Sequence, residues 1–220
     1  MDKRAPSKIN VSPSERADLA SRTRLLFQAS IALKQQVMET QLDTIVEMAE
    51  AVVHSLRQGG KVLLCGNGGS AADAQHLAAE LLVRLRPQVN REGVPAIALA
   101  MDTSSLTANA NDYGFEVYYA RMTRALGKPG DVLIGITTSG KSPNVVQALQ
   151  AAHEKGMVTM GFLGGDGGFA LAECDLALVV PSAVTGRVQE AHTTIGHAMM
   201  ELVEDLLLES GHLLNETPHI

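Results

Sequence analysis

The chain has 220 residues, 45% of them apolar and 19% charged, which is the composition of a soluble globular protein of one or two domains. Eighteen Lys and Arg against 24 Asp and Glu leave a net charge of −6, with the basic residues scattered, so a nucleic-acid partner is excluded; three Tyr, four Phe and no Trp give no stacking platform for single strands either. The two cysteines, Cys65 and Cys174, lie far apart without a CxxC companion, which argues against a disulfide framework and a thiolate zinc site and makes the cytoplasm the expected compartment. Residues 1–12 carry no signal-like apolar stretch, and no later run approaches the roughly 18 to 20 residues of a membrane span, so neither secretion nor a membrane partner is expected.

After a flexible tail over 1–12, Pro13-Ser14-Glu15 marks a helix start, and Leu19, Leu26, Ala29 and Leu33 recur at helical spacing. A second helix begins near Asp43, carries Ile45, Met48, Ala49, Val52, Val53 and Leu56, and stops at Gly59-Gly60. These two form an N-terminal helical hairpin over 13–58. From residue 59 to 210 the rhythm changes to strand-length apolar runs at 61–65, 95–100, 131–137, 157–163 and 176–181. Helical segments near 71–86, 104–110, 115–126 and 143–155 separate them, and an amphipathic helix over 187–209 precedes a short tail at 211–220. Strands alternating with helices specify an α/β fold, a three-layer sandwich around a five-stranded parallel sheet.

Two loops leave the carboxyl ends of these strands. Cys65-Gly66-Asn67-Gly68-Gly69-Ser70 joins strand to helix with free backbone N–H groups and a hydroxyl, a form suited to an anion. It also satisfies G-x-G-x-x-A through Gly66, Gly68 and Ala71, but the acid a dinucleotide site needs about 20 residues later is missing. The third strand ends in Gly135-Ile136-Thr137-Thr138-Ser139-Gly140-Lys141-Ser142, which matches the P-loop pattern. Pro143 follows, however, and has no N–H to offer a phosphate, so the loop reads better as a hydroxyl-rich helix entry; a nucleotide hydrolase depending on Lys141 stays as an alternative. Both loops should share the ligand-binding edge of the sheet.

His76 and Glu80, four apart on a helix, can ligate one metal, although with Asp73 and Arg84 they equally form a solvated polar stripe. The last helix carries Gln189, Glu190, His192 and His197 beside an apolar stripe. Gln189 and His197 lie about 12 Å apart along its axis, so joint ligation needs both to lean inward. Gly196 in mid-helix, at a cost of roughly 1 kcal/mol against Ala, indicates a close neighbour beside His197.

Together GGKVLLCGNGGSAADAQH (59–76), ANDYGF (110–115), GDVLIGITTSGKSPNV (130–145) and RVQEAHTTIGH (187–197) resemble the sugar-isomerase (SIS) domain family, and more narrowly its bacterial phosphoheptose isomerase branch. The resemblance implies an aldose–ketose isomerase that converts sedoheptulose 7-phosphate to D-glycero-D-manno-heptose 7-phosphate, the first step towards ADP-heptose for lipopolysaccharide core or other surface glycans. It places substrate contacts on Asn67, Gly68, Gly69, Ser70, Glu80, Asn111, Asp112, Thr137, Thr138, Ser139, Ser142 and Gln189. Thr137 and Lys141 depart from the family's Ser and Asn, and the second departure alone creates the P-loop match. One zinc per subunit is implied on His76, Glu80, Gln189 and His197, with Glu80 as catalytic base and His197 as acid. A zinc-bound carboxylate is a weak base, so Glu80 either leaves the metal in turnover or the zinc is mainly an organiser. The family forms homotetramers with active sites at subunit contacts, so ligands from different chains would remove the 12 Å difficulty. A non-catalytic SIS binding module, or a relative associated with the replication initiator, would need the loops but not Glu80 and His197.

Overall fold

The computed structural model describes residues 11–215. Its sheet has five parallel strands, β1 (Val62–Gly66), β2 (Ala96–Ala98), β3 (Val132–Thr137), β4 (Val158–Gly164) and β5 (Leu176–Val180), in the order β2-β1-β3-β4-β5. The helices are α1 (Pro13–Arg57), α2 (Gly69–Leu82), α3 (Thr103–Asp112), α4 (Tyr118–Leu126), α5 (Pro143–Glu154) and α6 (Thr185–Glu209). Strand side chains alternate between faces. Val62, Leu64, Ile134, Ile136, Met160 and Phe162 pack in one core with α1, α2 and α6, whereas Leu63, Cys65, Leu133 and Leu163 pack in the other with α4 and α5. The expected three-layer α/β sandwich therefore stands, with each of its five strands within two residues of its expected bounds.

The N-terminal hairpin does not form. Residues 13–57 make one helix of 45 residues, about 67 Å long. Between Leu33 and Ile45 there is neither Gly nor Pro to break it, and the half-buried Gln41 carries the inward stripe from Val37 to Ile45. Ser12 starts the helix with a full capping box, accepting from Glu15 N while Glu15 accepts from Ser12 N. Its second half, from Leu33 to Leu56, belongs to the chain's own core, while Leu19, Leu25, Leu26 and Phe27 in the first half are exposed.

At the amino edge, buried Asp131 accepts from Lys61 N, Lys128 N and Lys61 Nζ, tying β1 to β3. At the opposite edge, Tyr118 donates to Leu99 O and Tyr119 to Gly66 O. Both thiols are pushed up to about 12, chiefly by burial, so neither cysteine offers a thiolate near neutral pH. Among the described residues no helix is long and apolar enough to cross a membrane.

His192 is a core residue of α6. Its Nε2 lies 3.1 Å from Leu163 O, Nδ1 has no partner among the described residues, and burial pushes its pKa down to about 4. The neutral imidazole is therefore the folded form. An ordinary histidine protonates near 6.5, so this contribution to stability is complete above that pH and is lost as pH falls from 6.5 towards 4, by about 3 kcal/mol in all. Urea denaturation across that range should show His192→Gln losing less stability than the native chain; equal losses would show that His192 is not the group titrating.

Candidate functional site

The sheet order makes β1 and β3 neighbours while their connections leave to opposite faces, and this switch point opens a crevice at the carboxyl edge. Both sequence-derived loops flank it. In the first, Gly68 takes φ +56°, a conformation that favours glycine, and its carbonyl accepts from Ala71 N and Ala72 N to start α2. Ser70 is buried directly behind it. In the second, Thr137 Oγ1 and Ser142 Oγ are 3.0 Å apart, and Ser139 Oγ accepts from Lys141 N. Ser142 is the N-cap of α5, yet its side chain is turned to Thr137 and does not cap the helix. Of the first-turn N–H groups of α5, that of Val145 already donates to Ser142 O and Pro143 has none, so the N–H of Asn144 is the one left for an anion. Thr138 is half-buried between these hydroxyls, and Lys141 is exposed.

Asn67 and Asn144 join the two loops. Each amide donates to the other's oxygen at 2.8 Å, so the Asn67 side chain is engaged by buried Asn144. Nothing local in the sequence marks Asn144, because its partner is 77 residues away. Asn111 and Asp112 lie exposed at the end of α3, where Asn111 Nδ2 donates to Asp112 Oδ1.

The metal-capable residues lie between α2 and α6, which run side by side in the same direction. Gly69 faces Gln189, Asp73 accepts from Thr193, and His76 meets His197, a constant offset of 120 to 121 residues. A Cβ on Gly196 would stand 2.7 Å from Leu77, which explains the mid-helix glycine: it lets α2 approach beside His197. The two imidazole Nε2 atoms are 2.7 Å apart, and Glu80 Oε1 lies 3.5 Å from His76 Nε2. One donor atom from each of His76, Glu80 and His197 falls within 4.8 Å of the others. Two nitrogens on a tetrahedral zinc stand about 3.3 Å apart, so a slight spreading of the rings admits the ion. The three come from one chain, so the expected need for ligands from different chains does not arise for them. Gln189 stands apart from this trio, its amide packed where a side chain on Gly69 would have to go.

Asp73, which the sequence placed in an exposed stripe, sits between loop and trio. Its Oδ1 accepts from Thr193 at 3.1 Å, its buried Oδ2 has no partner among the described residues, and burial raises its pKa. The only signal was its place three residues before His76 on one helix face.

Residues 26–164 match the family model of the SIS domain. The chain is 54% identical over 185 residues to the phosphoheptose isomerase of Chlorobaculum parvum, covering 84% of this chain and 88% of that protein. Among solved structures, phosphoheptose isomerase GmhA from Neisseria gonorrhoeae superposes with a TM-score of 0.80 at 43% identity, over 85% of this chain and 99% of the other. A phosphoheptose isomerase from Francisella tularensis gives 0.81 at 36%, over 84% and 98%.

Proposed function

The chain belongs to the SIS domain family and, within it, to the phosphoheptose isomerases, and on that basis we propose that it interconverts sedoheptulose 7-phosphate and D-glycero-D-manno-heptose 7-phosphate. The observation that carries this reading is the convergence of a carboxylate and two imidazoles beside two anion-suited loops. Aldose–ketose isomerisation needs a base for the C–H beside the carbonyl and an acid for the carbonyl oxygen. Glu80 takes that proton, which exchanges with solvent while the enediol stands, and Glu80 then protonates the neighbouring carbon; His197 protonates the carbonyl oxygen to give the enediol and takes the proton of the other hydroxyl as the new carbonyl forms. Ser70, Thr137, Thr138, Ser139 and Ser142, with the backbone of Asn67, Gly68 and Gly69, hold the phosphate and hydroxyls, so binding energy far from the reacting carbons aligns them. Asn111 and Asp112 add a contact from α3.

His76, Glu80 and His197 fit a zinc ion by donor type and spacing, and Gln189 completes the set by turning its amide from Gly69 towards the trio. Bound there, zinc would polarise the sugar carbonyl and order its hydroxyls. The exposed apolar face of α1 and a groove of about 380 Å³ between α1 and α6, lined by Ile31, Val37, Leu42, Ile195 and Ala198, support assembly with further copies as a homotetramer. Ala198 follows His197, so such packing brings a subunit contact to the site. We place the enzyme in the cytoplasm, supplying heptose for surface glycans.

The test is product formation from sedoheptulose 7-phosphate with and without a chelator shown to strip the protein. Aldose that stops forming on chelation and returns with zinc is expected; turnover by the stripped protein would remove the metal from the mechanism. Lys141→Ala should retain activity within about threefold, since its charge serves no step; loss of most activity would instead favour the nucleotide-hydrolase reading.

A further inference from the structure

Helix α2 ends at Leu82, four residues before the expected bound, and no basic residue lies in its last turn. A distant side chain replaces the missing cap. Arg91 Nη2 donates to Glu80 O at 2.8 Å and Nη1 to Leu81 O at 2.9 Å, and Val94 N also takes Leu81 O. These are the carbonyls that residues 84 and 85 would need to continue the helix. A guanidinium at a helix C-terminus also complements the helix dipole.

Arg91 is fixed in turn by α6. Its Nε donates to Glu204 Oε1 at 2.6 Å, with the two side chains only 1% and 2% exposed. The other Glu204 oxygen accepts from Arg86 Nε at 2.6 Å, and Arg86 also reaches Asp205. Glu204 lies two turns after His197 on α6. Beyond the contacts that run from Gly69 and Gln189 to Leu77 and Gly196, the helices that carry the trio are therefore tied again at the end of α2 through Arg91, which grips the backbone of Glu80 itself.

Resting on the isomerase reading above, we infer that Arg91, held by Glu204, is a positioning residue for the Glu80 carboxylate. It touches no reacting atom. It keeps the last turn of α2 wound, and with it the direction in which Glu80 faces His76 and His197. Lysine at 91 keeps the charge, but a single ammonium cannot span two carbonyls of α2 and the Glu204 carboxylate as the guanidinium fork does. Glutamine at 204 keeps the shape and removes the ionic anchor.

The experiment compares full-length native protein, Arg91→Lys and Glu204→Gln for melting temperature, kcat, KM and zinc affinity, the last by competition with a chromophoric chelator. Both variants are expected to fold, to lose kcat by tenfold or more with KM within threefold, and to bind zinc about tenfold more weakly. Native kcat and zinc affinity per folded chain in both variants, whatever their melting temperatures, would overturn the inference. So would failure of both to fold, which would make the network a requirement of folding alone. If the native protein binds zinc but does not isomerise the heptulose phosphate, the isomerase reading fails, while the zinc-affinity comparison still tests the Arg91 grip.

Discussion

Glu80→Gln is expected to lower kcat by about 10³-fold, the range for losing a general base, while KM stays within a few-fold. The amide has the volume of the carboxylate but no basic oxygen. The fold does not depend on that side chain: Glu80 faces His76 and His197, 15% exposed, and the framework uses its backbone carbonyl, which Arg91 still grips in the variant. Melting temperature and far-ultraviolet dichroism should therefore match the native protein. Near-normal turnover by a folded, metal-loaded variant would take the base away from Glu80.

Gly140→Ala is expected to lower kcat/KM by about 10²-fold, mainly through KM, and to cost roughly 1–3 kcal/mol of stability. Gly140 holds φ +65°, and a Cβ there would stand 1.9 Å from Gly167 O and 2.7 Å from Gly168 N. The neighbouring backbone is itself tied in, because Ala170 N donates to Gly140 O at 2.9 Å. Relief therefore requires the hydroxyl loop from Thr137 to Ser142 to move away from the segment around Gly167, and those hydroxyls are the ones assigned to the phosphate. Gly130→Ala is the control. Its φ is +84° with nothing within 4 Å of an added Cβ, so it should cost stability but leave KM unchanged. Equal KM in both variants would show that the close approach at Gly140 does not position the loop.

The strands were legible because each is an apolar run bounded by Gly, Pro or polar residues, and a buried parallel sheet leaves that signature. The continuity of helix α1 is hidden for a related reason. The polar stretch after Leu33 looks like a connection, but Gln41 is itself half-buried there, and a stripe continued by a glutamine is invisible to an apolar count. The end of α2 was unreadable because its cap, Arg91, lies outside the helix. Of the site, both loops announced themselves through glycines and hydroxyls next to strand ends. The trio did not: His76 and Glu80 alone match a surface stripe, and the family resemblance brought in His197. Its physical basis is the side-by-side course of α2 and α6, a tertiary fact that neither helix encodes alone. Asn144 shows the same limit, since the reciprocal amide pair with Asn67 exists only once β1 and β3 lie together.

The central claim is that Glu80, with His197, removes a proton from one carbon of a heptose phosphate and, after exchange with solvent, adds one to its neighbour. Its most direct test is NMR of zinc-loaded native protein with sedoheptulose 7-phosphate in deuterated water, with Glu80→Gln alongside. The account predicts a heptose 7-phosphate aldose carrying solvent deuterium at C2 with the native chain and almost none with the variant. No aldose from the folded, metal-loaded native protein, or aldose formed equally fast by both, would contradict it.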